Sequence, residues 1–434
     1  MAPAYNPLEL KVERHSIWQN AQSATERLER DRRLRIDTPA YGRIAETLDR
    51  LGPELRSMSL AIHARPELAF EERFAAETLT AWLAGQGFDV ERPYAGLETA
   101  FLARKPLGSP GPRVAFIAEY DALPGIGHGC GHNLICVASV AAATALAGAL
   151  EGAGVGGEVA VIGTPGEEGG GGKVIMLERG AFEGVDAALM FHPGNRTMVV
   201  RGSLAATRVT MRFRGKAAHA ASNPHLGVNA LDACIQTFNA INALRQHVKD
   251  ETRVHGVITN GGAAPNIVPD YAEAKFIIRH RRHDYMLEVR DKVFAAARHA
   301  AAAVGATVEL EEGVTYKERV VNHAMAARFG AHLESLGEAV KDPPVTGGVG
   351  SSDFGNLSQE VPAIHPYVQI VPEGVSAHTA EFAAAAASEA GLRAMDLAAR
   401  CLAMTGHDLL VSAELLAEAR REFAATVRDR EEGR

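Results

Sequence analysis

Residues 114–150 read VAFIAEYDALPGIGHGCGHNLICVASVAAATALAGAL. The run Val114–Ala118 is apolar, short and sharply bounded, the pattern of a buried strand. From Ile135 to Leu150 the chain is Ala-rich and apolar, and Ser139, Thr144 and Gly148 interrupt it; it predicts a helix inside a protein rather than a bilayer span. Between strand and helix lie residue types that handle metals: Glu119, Asp121 and His128-Gly-Cys-Gly-His132. In open α/β sheets, ligand sites lie beyond the carboxyl ends of the strands, which is where this loop falls.

The same grammar recurs downstream. Val159–Ile162 leads into Thr164-Pro-Gly-Glu-Glu-Gly-Gly-Gly-Gly172, and Ala187–Phe191 leads into His192-Pro-Gly. A helix is expected over Lys173–Arg179. Short apolar runs alternating with helical stretches predict an α/β domain with a central, mostly parallel sheet. Before it, Tyr41–Ala84 has helical spacing, and residues 1–44, rich in charge, are expected to form an N-terminal arm. The grammar changes over 206–314: strand Thr207–Arg214, helix Val228–Val248, strands Val254–Thr259 and Ala272–Arg279, helix Tyr285–Val304 and strand Thr307–Leu310. That β-α-β-β-α-β order is ferredoxin-like, and it predicts a small α+β domain inserted between the two parts of the larger α/β domain, 45–205 and 315–434. A strand over Val361–Val371 and a closing helix over Glu389–Met404 complete the expectation.

Donors following three strands of one sheet converge on one rim. Cys130 and His132, a carboxylate from the Glu167/Glu168 pair, and His192 make a mixed N/O/S set suited to a transition metal. Gly129 and Gly131 permit the tight turn that lets Cys130 and His132 face one ion. Neighbouring carboxylates on an extended loop point in different directions, so one can bind an ion while the other takes a proton from water. Taken singly, a Cys-Gly-His is commonly a loop accident, a Glu pair a solvated surface and His192 a satisfied core histidine. Their order, each after an apolar strand, is what favours a site.

The whole composition agrees. The chain has 434 residues, 53 acidic against 45 basic, a net charge of −8 that argues against nucleic acid as partner. Four cysteines without a CxxC pair suit a reducing cytoplasm, and no signal or membrane segment is expected.

Longer motifs resemble those of the M20 metallopeptidase and aminoacylase family, in its branch of aminobenzoyl-glutamate hydrolase-like amidohydrolases and aminoacylase-1-like dipeptidases. They are His63-Ala-Arg-Pro-Glu-Leu68, the stretch from Glu119 to Asn133, Pro165–Lys173, Gly215-Lys-Ala-Ala-His219-Ala, Ala264-Pro-Asn266-Ile-Val-Pro269, Gly350-Ser-Ser-Asp-Phe354 and His378-Thr-Ala-Glu-Phe382. The resemblance implies that Cys130, His132, Glu168, His192 and His378 bind one or two divalent ions, manganese or zinc with cobalt as an option. It makes Glu167 the general base for cleaving a C–N bond in a small N-acyl amino acid, dipeptide or aroyl-amino acid. His219 would stabilise the oxyanion, Asn266 and Arg279 would contact substrate, and the inserted domain would be a lid and dimerisation domain of the catalytic domain, giving a homodimer. Glu119-Tyr-Asp121 stands where many members carry His-x-Asp, which leaves Asp121 to orient a ligand. Competing readings are release of ammonia from an electron-poor (nitro)aromatic amine, an inactive metal-bound binding protein, and a closed structural metal site.

Overall fold

The computed structural model describes residues 38–344 and 349–431. The expected arm at 1–44 therefore lies outside the described residues up to position 37, and its last residues are already helical. Helix α1, Pro39–His63, starts with Pro at its first position and buries Ile44, Leu48, Leu51, Leu55, Met58 and Ile62, a three- and four-residue spacing that gives one apolar stripe. Helix α2 (Arg73–Gly85) follows, then strands β1 (Asp89–Glu91), β2 (Phe101–Pro106) and β3 (Arg113–Ala118), helix α3 (His132–Leu150), strand β4 (Glu158–Gly163), helix α4 (Gly172–Glu178), and strands β5 (Ala187–Leu189) and β6 (His192–Gly194).

The sheet order β1-β2-β4-β3-β5 continues to β11 (Ala363–Ile364), with β4, β3, β5 and β11 parallel and β1 and β2 antiparallel. Strand β2 is not foreseen in the sequence: its apolar half, Phe101-Leu-Ala103, is short and runs into Arg104 and Lys105, so neither alternation nor an apolar run marks it. Helix α3 is apolar on every side because it lies inside the protein, packed by α1 and by α10 (Glu389–Val411); among its residues only Gly148 is exposed.

The inserted unit folds as expected. Strands β7 (Ala205–Arg214), β8 (Arg253–Asn260), β9 (Tyr271–His280) and β10 (Thr307–Glu312) form an antiparallel sheet in the order β10-β7-β9-β8, and helices α5 (Ala230–Leu244) and α6 (His283–Ala303) cover one face. Val209, Met211 and Phe213 alternate into the core with those helices, separate from the core of the larger lobe.

The chain then forms α7 (His323–Ser335), a helix absent from the sequence-based expectation, and α8 (Phe354–Leu357). The single strand expected over Val361–Val371 is two short ones, β11 in the central sheet and β12 (Tyr367–Gln369) beside β6. Pro366, which has no N–H for a ladder, separates them, and its carbonyl accepts from the His192 amide at 2.8 Å. Helices α9 (Ala380–Ala385), α10 and α11 (Ala413–Glu431) are the last described elements, so the expected Glu389–Met404 belongs to a longer helix that a further helix follows.

Candidate metal centre

The expected ligands gather beyond the carboxyl ends of the central strands: Cys130 and Glu168 on loops, His132 at the start of α3, His192 at the start of β6, just after β5, and His378 on the loop after β12. Gly131 caps α3 with φ of 72°, a left-handed conformation natural to glycine. A Cβ there would come within 2.6 Å of Pro193 Cγ, so only glycine lets the Cys130–His132 turn close against the loop bearing His192. His378 approaches from the loop after β12. Its amide donates to Gly129 O at 3.0 Å, and its own φ of 65° is rare and strained for a side chain-bearing residue.

The donor atoms gather into overlapping trios within 4.8 Å: Cys130, His132 and His192; Cys130, Glu168 and His378; and His132, Glu167 and Glu168. Cys130 thus belongs to two groups, an arrangement with room for one ion or two. The imidazoles are already oriented. His132 Nδ1 donates to Asp121, 2.8 Å from its carbonyl and 3.1 Å from Oδ1, while His192 Nδ1 donates to Pro193 O at 2.6 Å. Both keep Nε2 for a cation, the usual division of labour in a metal-binding histidine. Asp121 Oδ2 also accepts from the Glu168 amide at 2.8 Å, tying two ligand loops together.

Within the cluster, two buried donor atoms have no hydrogen-bond partner, His132 Nε2 and Glu168 Oε1. Such orphans are costly and call for an explanation. A divalent cation between them supplies it, and the mixed thiol, imidazole and carboxylate set suits such an ion. The residues fit the implied metal.

The charges are tuned by burial. Burial, then the neighbouring Glu168, Glu119 and Asp353 carboxylates, push Glu167 well above the usual carboxylate range. Glu168 is held down to about 2 despite its burial, by the neighbouring imidazoles of His378, 3.4 Å away, and His132. Burial raises the Cys130 thiol and lowers His192 to about 4. The two carboxylates of the Glu pair are thereby driven apart, which separates a proton carrier from a ligand.

Behind the ligands lies a buried ionic group whose members fall in three of the family-like motifs but to which the sequence assigns no role. Lys173, at the start of α4, is wholly buried and donates from Nζ to Glu119 at 2.7 Å and Asp353 at 2.8 Å. Burial works against Glu119, but Lys173, His132 and His192 keep it ionised; its other oxygen stands 3.4 Å from His132 Nε2. Asp353 also accepts from the Lys173 amide. Glu72, buried, accepts from the Gly166 amide at 2.8 Å and fixes the loop that carries Glu167, while Tyr316 donates to Glu167 O at 2.8 Å.

The residues expected on the inserted unit are placed differently. Arg279, half-buried on β9, donates to Ser351 Oγ at 2.8 Å and is close enough to His378 to oppose its protonation. His219 and Asn266 are exposed on the lid. His219 Nδ1 accepts from the Ala221 and Ser222 amides, at 3.3 and 3.2 Å, and none of its hydrogen bonds reaches the metal cluster. Asn266 accepts from the Ala220 amide through its carbonyl.

A mixed-donor cation site with a spare buried carboxylate, at the rim of an α/β sheet and beside an inserted lid, defines a metal-dependent hydrolase. Comparisons with known proteins give the same class. Residues 201–304 match the peptidase dimerisation domain family. The chain is 39% identical over 405 residues to the Xaa-Arg dipeptidase of Mus musculus, covering 89% of this chain and 93% of that protein. It is 41% identical over 263 residues to one of the chains of the p-aminobenzoyl-glutamate hydrolase of Escherichia coli, covering 56% of this chain and 54% of that one. The crystal structure of a dinuclear metal-binding M20 peptidase from Bacillus subtilis superposes with a TM-score of 0.64 at 21% identity, over 83% of this chain and 99% of that one, a likeness of fold. The chain belongs to the M20 family of metal-dependent peptidases and amidohydrolases.

Proposed function

We propose that this enzyme hydrolyses the amide of small N-acyl amino acids or dipeptides, with Glu167 as the proton carrier and Cys130, His132, Glu168, His192 and His378 as the metal ligands. The observation that carries this reading is the geometry of the cluster: the thiol, imidazole and carboxylate donors gather within 4.8 Å of one another in overlapping groups, with Glu167 buried beside Glu168 and His132. Divalent ions, when bound, supply Lewis acidity toward the amide oxygen and lower the pKa of water. The protein does the rest. Glu167 accepts the proton of the attacking water and delivers it to the leaving nitrogen, which departs as an amine. Asp121 holds His132 and Glu168 in register, and Tyr316 and Glu72 immobilise the backbone around Glu167. Arg279 faces the centre from the lid and anchors a substrate carboxylate. Asn266 and His219 lie on the outer lid, and His219 acts on an oxyanion when lid closure or a second protomer carries it to a centre.

The thiolate favours zinc or cobalt and the carboxylates admit manganese. A homodimer through the inserted unit is supported by the 201–304 match, and four buried, unpaired cysteines suit a reducing cytoplasm.

The test is a panel of N-acyl amino acids and dipeptides assayed for free amino acid and for ammonia, with metal-loaded wild type and Glu167→Gln. Amino acid release without ammonia is expected, with kcat reduced at least about a hundredfold in the variant and its metal content unchanged. Full activity in Glu167→Gln would remove the assigned base; ammonia as the product would move the reaction to deamination.

A further inference from the structure

Four consecutive glycines, Gly169–Gly172, follow the Glu167–Glu168 pair, and glycine is the residue least able to hold a backbone in one conformation. The two carboxylates nevertheless need fixed and different orientations. Hydrogen bonds pin the loop at the Gly166 amide, the Glu167 carbonyl and the Glu168 amide, all on the first half of the turn. The second half is held by a side chain that amide hydrolysis as described above leaves without a role, Phe70.

The Phe70 ring lies edge-on against three of the loop glycines. A Cβ at Gly166 would come within 2.8 Å of its Cζ, one at Gly170 within 2.6 Å of its Cε2, and one at Gly172 would stand 3.7 Å from its Cε1. The ring thus takes the space that side chains at Gly166 and Gly170 would need. It is half-buried and belongs to neither hydrophobic core, although Phe74 a turn later packs against the larger one. Core packing therefore does not account for its position.

The backbone of Phe70 has φ of 66°, an outlier for a bulky residue, and it shares this strain with His378 at the same centre. Its amide donates to Glu72 Oε1 at 2.9 Å, and the same oxygen accepts from the Gly166 amide at 2.8 Å. Thr99 Oγ1 donates to the other oxygen at 2.9 Å, so this buried carboxylate is fixed in turn. A relaxed φ would turn the amide from Glu72 and lift the ring off the glycines; surrounding contacts of this kind are what retain a strained residue beside a functional site.

We propose that Phe70 is a positioning residue: its ring and strained backbone, locked to the loop through Glu72, clamp the glycine turn so that Glu167 and Glu168 keep their separate orientations. This rests on the amide-hydrolase reading above. The clamp also gives a reason for glycine at 166 and 170, where a side chain and the ring exclude one another.

The experiment compares full-length wild type, Phe70→Ala and Phe70→Met. It measures kcat and KM of the zinc-loaded proteins on the N-acyl amino acid cleaved fastest in the panel above, and zinc affinity against a competing chelator. Phe70→Ala is expected to lower kcat about 10–100-fold per zinc-loaded molecule, with KM within about threefold of wild type. Zinc affinity falls about tenfold, because Glu168 rides on the same loop. The urea midpoint stays close to that of wild type, and Phe70→Met, whose apolar chain still reaches the glycines, recovers part of both losses. A kcat within about twofold of wild type in Phe70→Ala, or a loss confined to KM that marks a substrate contact, overturns the assignment and leaves amide hydrolysis standing. If wild type cleaves nothing in the panel, the hydrolase reading fails, and zinc affinity alone decides the clamp: a fall in Phe70→Ala upholds it, and an unchanged value overturns it.

Discussion

Replacing Lys173 by Met removes the ammonium that contacts both Glu119 and Asp353, and leaves two carboxylates that are 1% and 0% exposed. Removing one partner of a buried ion pair typically costs about 3–5 kcal/mol, because the other charge stays behind desolvated. Protonation limits the loss. Neutralising one carboxyl of ordinary pKa near 4 costs about 4 kcal/mol at pH 7 and about 1.4 kcal/mol at pH 5. The expected destabilisation is therefore about 4 kcal/mol at pH 7, shrinking by about 2–3 kcal/mol at pH 5. Urea unfolding of metal-free protein, followed by the fluorescence of Trp82 in the larger core, reads it directly. A variant within about 1 kcal/mol of wild type at pH 7, or a loss that does not shrink on acidification, would refute the reasoning.

Other consequences follow from neighbouring groups. Asp121→Asn deprives His132 Nδ1 and the Glu168 amide of their shared carboxylate, and metal affinity measured against a competing chelator should fall about 10–100-fold with the fold intact. His128 is buried and lowered to about 3, by burial first and then by His132 and His63. The depressed folded pKa means that the neutral imidazole contributes stability above the unfolded value near 6.5, and this is lost as pH falls through 6.5 toward 3. Metal-free wild type should lose about 2 kcal/mol to this group between pH 6.5 and 5, and His128→Gln should flatten that part of the urea-midpoint profile.

The parts of this enzyme that can be read from its amino acids are those with strong local pattern. Strands β3, β4 and β5 are uninterrupted apolar runs because helices cover both faces of the sheet, and the lid strands alternate because one face is open. The Cys130–His132 turn is legible because its glycines are needed at the points of closest approach. His378 is not legible from spacing. It enters from a loop after β12, 186 residues beyond His192, and on the sequence side only the resemblance of His378-Thr-Ala-Glu-Phe382 to the family names it. Lys173 looks like an ordinary helix-start residue until the fold closes two carboxylates around it. The split of β11 from β12 hangs on one proline, and β2 is hidden by its basic end.

The central claim is that Cys130 meets the imidazoles and Glu168 around the same cation. X-ray absorption at the metal edge of zinc-loaded protein tests it most directly. The expected spectrum contains a sulfur scatterer at about 2.3 Å beside nitrogen and oxygen neighbours, and Cys130→Ser loses that scatterer. A shell of nitrogen and oxygen alone in the wild type, or a sulfur signal that survives the substitution, would contradict the account.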